Sequence, residues 1–357
     1  MSDPLCALTD YKLLGHSGLR VSPLCLGTMT FGPDWGWGAD MDESRRIFER
    51  YAENGGNFVD TANLYTNGTS ESFLGEFLKG RREKFVLATK YTMSVERGDP
   101  NAAGNHRKNL RQTVDGSLKR LQTDYIDLLY LHAWEYRTPI EEVMRSLDDL
   151  VRQGKVLYIG FSDTPAWKLS QANTMAALRG WEPLVAYQIE YSLLERTPER
   201  EMMPMAREFD VAVLPWSPLA GGMLAGKYKR GETGITPEQR GRDKNRRGMQ
   251  AGKASDWHFD IVDEVVKIAG EIERSPSQVA LNWLFQQPGV TSTIIGCRRL
   301  DQLEDNLGAL TFTLTREHMD RLDSVSRIQM GFPHDFLAKK FIQDNLAGGM
   351  NVERRDP

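Results

Sequence analysis

The chain has 357 residues, 40% of them hydrophobic and 26% charged, with 45 basic side chains against 49 acidic ones. This near-balance is typical of a globular protein and excludes one built around binding nucleic acid through bulk positive charge. The absence of an apolar run near the ~20 residues needed to cross a bilayer excludes a membrane bundle. Three scattered cysteines, Cys6, Cys25 and Cys297, lack the spacing of a metal site or disulfide framework, so a metal-free protein of a reducing compartment is expected. The first residues, MSDPLCALTDYK, carry no basic segment followed by an apolar core, which fits a cytoplasmic protein.

Along the chain, Tyr11–Leu24 interleaves polar and apolar residues around Gly15 and Gly18 and is expected to form a hairpin. Short apolar, β-branched runs then recur at Leu24–Gly27, Asn57–Asp60, Phe85–Lys90, Ile126–His132, Val156–Phe161, Val185–Ile189, Val211–Trp216 and Thr293–Gly296. Their near-continuous hydrophobicity suits parallel strands covered on both faces, and the segments between them are long enough for helical crossovers. Glu141–Gln153 is one such helix, with Val143, Leu147, Leu150 and Val151 on one stripe and Gly154 as its stop. Eight units without a break in composition predict an α/β fold, a (β/α)8 TIM barrel with an N-terminal β-hairpin, and one domain over residues 1–357. Two segments depart from the alternation: 227–255, expected to be a long loop at the C-terminal face, and 331–357, an irregular tail able to fold back across one end of the barrel. The triplet Asn67-Gly68-Thr69 matches a glycosylation acceptor but reads as a loop.

In such a barrel the C-terminal ends of the strands converge on one mouth, where catalytic residues collect. Asp60 in NFVDTANLY, Tyr65 five positions on, Lys90 closing FVLATK and His132 closing IDLLYLH all fall there. Singly, each has a plainer reading: a turn cap, a half-buried aromatic, an emerging charge, a structural histidine. Jointly they form a coherent set. A phenol near pKa 10 exchanges its proton slowly at neutral pH, and an adjacent Lys90 ammonium would lower that value. Asp60 would keep Lys90 charged, and a neutral His132 would hold the substrate oxygen where negative charge develops. Tyr65 would then supply the proton.

At this point the sequence resembles the aldo-keto reductase superfamily, from the hairpin to about Asn306. LGHSGLRVSPLCLGTMTFG (Leu14–Gly32), DTANLY, Lys90, LYLH and GKVLYIGFSD (Gly154–Asp163) match in order. GNHRKNLRQTVDGSLKRLQTDYIDLLYLH (Gly104–His132) and SDTPAW (Ser162–Trp167) look most like the aryl-alcohol dehydrogenase-like branch. The resemblance implies NADP-dependent reduction of an aldehyde or ketone, with Asp60, Tyr65, Lys90 and His132 as the tetrad and Tyr65 as general acid. It also implies that Ser162, Asp163 and Gln188 hold the nicotinamide carboxamide and that Trp216 stacks on the ring. Many relatives carry Asn where this chain has Asp163, and an ionised carboxylate accepts but does not donate. Gly27, Thr28 and Met29, at the end of the first strand, are likewise expected to contact the cofactor. Ser217, Pro218, Leu219, Gly221, Gly226 and Lys227, in SPLAGGMLAGK, are expected along the pyrophosphate. Gly296, Arg298, Gln302, Asp305 and Asn306, in IIGCRRLDQLEDN, are expected around the adenosine and its 2′-phosphate. A guanidinium at Arg298 suits that phosphate and favours NADPH over NADH. Phe31, Trp35, Trp37, Tyr91 and Trp134 follow strand ends and are candidates for an apolar pocket that takes a flat or bulky carbonyl compound.

Other classes fit less well. Gly221–Lys227 begins like a phosphate-binding loop, but Tyr228 stands where Ser or Thr would coordinate Mg2+, and no G-x-G-x-x-G dinucleotide fingerprint occurs. Potassium-channel β subunits resemble the same superfamily, so a cofactor-binding sensor or partner protein with little turnover is the alternative. The basic stretch Gly241–Lys253 reads as a solvated loop over the dinucleotide rather than a nucleic-acid arm. A homo-oligomer is compatible with the sequence but not dictated by it.

Overall fold

A computed structural model describes residues 7–228, 230 and 255–353. An antiparallel pair, β1 (Lys12–Leu13) and β2 (Arg20–Val21), precedes the main sheet. The sheet comprises β3 (Leu24–Gly27), β4 (Phe58–Asp60), β5 (Val86–Tyr91), β6 (Ile126–Leu131), β7 (Val156–Ser162), β8 (Leu184–Glu190), β9 (Ala212–Trp216) and β10 (Thr293–Gly296). All neighbours are parallel, in the order β10-β3-β4-β5-β6-β7-β8-β9. The ring is drawn nearly closed beside β9, where the Val213 N–H donates to the Gly289 carbonyl at 3.3 Å and the Val213 carbonyl accepts from Thr291 at 2.9 Å. This is the expected (β/α)8 barrel, with the expected hairpin.

The crossovers are helical: α1 (Met41–Glu53), α2 (Thr69–Phe77), α3 (Arg107–Leu121), α4 (Ile140–Arg152), α5 (Ala166–Arg179) and α6 (Met202–Glu208), then α7 (Asp256–Glu271), α8 (Pro276–Phe285), α9 (Leu300–Leu307) and α10 (Arg316–Ser326). The helix expected at Glu141–Gln153 is α4, shifted by one residue, with Val143, Leu147 and Leu150 buried on its inner stripe. The expected strand ends shift similarly. Asn57, for example, stays outside β4 because its side chain binds the Ser22 N–H at 2.9 Å and the Arg20 carbonyl at 2.9 Å. Alternation along the strands divides the core. One set (Cys25, Phe58, Ala88, Leu128, Tyr130, Ala186, Leu214) fills the barrel, and Leu14 and Val21 of the hairpin pack with it as a floor. The opposite set packs beneath the helices. Gly160 makes room for Tyr130: a Cβ there would lie 2.7 Å from both the Tyr130 ring and the Ala186 carbonyl.

Of the expected loop at 227–255, only Lys227, Tyr228, Arg230 and Ser255 are described, so Gly241–Lys253 lies outside the described residues. The C-terminal stretch differs from expectation. It contains two short helices, α11 (His334–Leu337) and α12 (Lys340–Leu346), and none of residues 331–353 lines the cavity at the barrel mouth. The tail is tied to the start of α6 through His334–Glu201 at 3.0 Å, while Phe332, Phe341 and Leu346 remain exposed. Among the described residues no helix is long and apolar enough to cross a membrane.

Candidate active site

The strand register brings the tetrad together at the mouth. Asp60 ends β4, level with Gly27 of β3, and Lys90 stands on β5 next to Tyr130 of β6. Lys90 is fully buried, and its ammonium donates to Asp60 Oδ2 at 2.5 Å, to the Thr61 carbonyl at 2.8 Å and to the Tyr65 hydroxyl at 3.1 Å. Asp60 Oδ1 accepts from Gln188 Nε2 at 2.9 Å, so both carboxylate oxygens are fixed. Beneath them, a buried hydroxyl cluster of Thr28, Thr61 and Ser70, with contacts of 2.8 and 2.9 Å, pins the loop after β4 to the end of β3. Tyr65 opens a turn in which Thr66, Asn67 and Gly68 all hold positive φ (47°, 56° and 93°). Such a run is strained for a β-branched residue. It persists because Thr66 Oγ1 donates to the Phe31 carbonyl at 2.6 Å and accepts from the Ser70 N–H at 3.1 Å.

The electrostatics follow from burial. Desolvation alone would lower Lys90, but Asp60 and then Tyr65 outweigh it and hold the ammonium above its ordinary value. Burial pushes the Tyr65 phenol up; Lys90 opposes this and Asp60 adds to it, leaving the phenol above its ordinary value. This corrects the expectation of a lowered phenol: Lys90 acts in the expected direction, but desolvation is larger. His132 stands edge-on to Tyr65 with ring centroids 6.0 Å apart, and burial, aided by Lys90, lowers it to about 3. It is therefore neutral at physiological pH.

Above the tetrad lies a cavity of about 710 Å3. Its walls include Asp60, Tyr65 and His132, and also Gly27, Met29, Ser162, Asp163, Gln188, Trp216, Ser217, Pro218, Leu219, Gly221, Lys227, Gly296, Arg298, Gln302, Asp305 and Asn306. Asp163 Oδ1 accepts from the Trp216 indole at 2.9 Å. Several distal groups have protein partners: Gln302 Oε1 accepts from the Arg298 N–H at 2.9 Å, Asp305 accepts from Gln278 at 3.1 Å, and Asn306 donates to the Cys297 thiol at 3.5 Å. Arg298 reaches the Trp37 carbonyl at 3.5 Å, whereas Arg299 pairs with Asp301 at 2.7 Å.

Five of the expected residues stand elsewhere. Thr28 is buried in the hydroxyl cluster and donates to the Asp60 carbonyl at 2.9 Å. Gly226 lies behind the loop, where an added Cβ would meet Val266 at 3.3 Å. Phe31 is fully buried against Phe77, with centroids 6.3 Å apart. Tyr91 follows Lys90 on one strand and therefore points to the opposite face, among Leu110 and Val114. Trp134 packs against the outer layer, capped by the Lys168 ammonium 4.9 Å from its ring. Trp35 and Trp37 do line the cavity, with centroids 5.7 Å apart. The sequence reading missed Leu64 and Met93, which also line the cavity, and Ser275–Ser277 at the start of α8. The signal for the latter was present: Ser275 and Gln278 form a capping box, with Gln278 N–H to Ser275 Oγ at 3.1 Å.

The strand ends thus present a lysine-bridged carboxylate and phenol beside a neutral imidazole, below a cavity at the mouth where barrel enzymes carry their active sites. The chain belongs to the aldo/keto reductase family, whose model matches residues 23–327. It is 37% identical over 346 residues to a norsolorinic acid reductase of Aspergillus flavus, covering 94% of this chain and 86% of that one. It is 38% identical over 344 residues to an NADP(+) aryl-alcohol dehydrogenase of Phanerodontia chrysosporium, covering 90% and 87%. It is thus an oxidoreductase of a family that uses a nicotinamide cofactor.

Proposed function

We propose that the chain reduces an aldehyde or ketone to the alcohol, reversibly, with NADPH, and that its substrates are aromatic or bulky carbonyl compounds. The observation that carries this reading is the Lys90 ammonium bridging Asp60 at 2.5 Å and Tyr65 at 3.1 Å on the floor of the cavity. The residues present suit the dinucleotide. An added Cβ at Gly222 or Gly296 would meet nothing within 4 Å, so both strand-end loops leave backbone open to a ligand. Lys227 and Arg298 bring positive charge to the cavity wall, as phosphates require, while Arg299 beside them is paired with Asp301. Ser162, Asp163, Gln188 and Trp216 would hold the nicotinamide end. Bound there, NADPH supplies the hydride for the carbonyl carbon.

The rest falls to the chain. Tyr65, kept protonated by its raised pKa, holds the proton for the carbonyl oxygen, and Lys90 stabilises the phenolate left behind. His132 Nδ1 is buried without a partner, and a buried N–H without an acceptor is the costlier alternative to a bare lone pair. The ring proton is therefore assigned to Nε2, which donates to the same oxygen. The neighbouring rings of Trp35 and Trp37, together with Leu64 and Met93, give the cavity apolar surface for the substrate. Relatives named for aryl alcohols and norsolorinic acid support an aromatic substrate.

The direct test is NADPH oxidation by the purified protein across aromatic aldehydes, aliphatic aldehydes and bulky ketones. Brisk turnover with the aromatic group is expected. Tight NADPH binding with negligible turnover throughout would instead indicate a sensor or partner protein. Trp35→Ala and Trp37→Ala should each raise KM for a good substrate by roughly tenfold, the value of apolar ring surface covered on binding. An unchanged KM across the panel would remove them from the substrate pocket. Arg298→Ala should narrow the preference for NADPH over NADH by roughly ten- to hundredfold, and an undiminished ratio would mean that the 2′-phosphate is held by other groups.

A further inference from the structure

We infer that Asp163 distinguishes the two redox states of the bound dinucleotide, tightening NADP+ relative to NADPH and so tilting the bound pair toward carbonyl reduction. This rests on the proposed reading that the nicotinamide lies among Ser162, Asp163, Gln188 and Trp216.

The charge count at that end of the cavity is unusual. Asp60 and Asp163 contribute two carboxylates. Among the described residues the ammonium beside them is that of Lys90, which is already bound to Asp60 at 2.5 Å. His132 adds no charge, since burial holds it near 3. An ionised Asp163 therefore leaves the surroundings of the nicotinamide net negative. The reduced and oxidised dinucleotides differ there by one positive charge on the ring, which appears when the hydride leaves, so this surplus favours the oxidised form.

The carboxylate is also fixed. Asp163 follows β7 directly and holds a left-handed backbone, φ 40°. Its N–H donates to the Gln188 carbonyl at 3.2 Å, and its own carbonyl accepts from the Trp134 N–H at 3.3 Å. Its Oδ1 accepts from the Trp216 indole at 2.9 Å, which sets the charge at the edge of the ring read as stacking on the nicotinamide. Burial is the larger influence and leaves the acid above its ordinary carboxylate value, with the Trp216 N–H and Lys90 opposing the rise. An Asn at this position would keep the shape and the acceptor for Trp216 but remove the charge, balancing the site.

The experiment is a fluorescence titration of wild type and Asp163→Asn with NADP+ and with NADPH, alongside a melting curve to verify the fold. The expected result is that the ratio of the Kd for NADP+ to the Kd for NADPH rises about tenfold in the variant, as loss of one negative charge beside a ring that gains a positive one requires. Equal shifts for both forms, or none, would overturn the charge inference while leaving the cofactor reading intact. Failure of the wild type to bind either nucleotide would overturn both.

Discussion

Tyr65→Phe should bind NADPH as the wild type does and lose roughly 10²- to 10⁴-fold in kcat for carbonyl reduction, the usual contribution of a positioned general acid. The change removes one oxygen. The ring stays against His132 and over Lys90, whose ammonium lies 4.7 Å from its centroid, and it keeps its bonds to Asp60 and the Thr61 carbonyl. Binding and chemistry are therefore separable in this variant. Because burial raises the phenol above its ordinary value of 10.0, the wild type should hold the proton throughout the neutral range. The rate of reduction should accordingly be flat through neutral pH and fall only under alkaline conditions, whereas alcohol oxidation, which needs the phenolate, should rise with pH. Near-wild-type kcat in Tyr65→Phe would remove Tyr65 from the acid role. A reduction rate that falls below pH 9 in the wild type would contradict the raised phenol.

The barrel was legible because its strands are short apolar runs buried on both faces, and each βα unit repeats that signal. The tetrad was legible because strand ends converge in such a fold, which turned Asp60, Lys90 and His132 from scattered polar residues into neighbours. What sequence position did not convey was direction. Tyr91 looks as close to the mouth as Lys90, yet alternation turns it outward. Phe31 and Trp134 follow strand ends, but their loops fold them into the core. Thr28 sits beside Gly27 and Met29, but its hydroxyl closes a buried cluster rather than facing the cavity.

Long-range polar pairing was equally out of reach. The Gln188 amide meets Asp60 across 128 residues, and no local pattern announces it. The same holds for the net pKa direction of Tyr65. Its neighbours can be guessed from the motif, but desolvation depends on how completely the barrel closes around the ring, and here it outweighs the ammonium. The two tail helices span only four and seven residues, too short for a periodic stripe to stand out.

Lys90→Met is expected to be the most damaging substitution to the fold and to abolish turnover as well. The ammonium is fully buried and satisfies three oxygens, so its removal leaves the Asp60 carboxylate at the barrel mouth with Gln188 as its remaining described donor. Breaking one side of a buried ion pair costs about 3–5 kcal/mol. The pH dependence has a definite sign. Lys90 is raised in the folded chain, so its contribution is complete below the unfolded lysine value near 10.5 and is lost as pH rises through the higher folded value. The stability gap between wild type and variant, measured by chemical denaturation, should therefore stay constant across neutral pH and shrink only in strongly alkaline solution. The double variant Lys90→Met/Asp60→Leu separates fold from chemistry. Removing both charges should recover much of the lost stability, because apolar replacements of a buried pair are often tolerated, but none of the turnover. A stable Lys90→Met would show that the pair contributes little to the fold, and recovered activity in the double variant would show that Tyr65 needs no neighbouring ammonium.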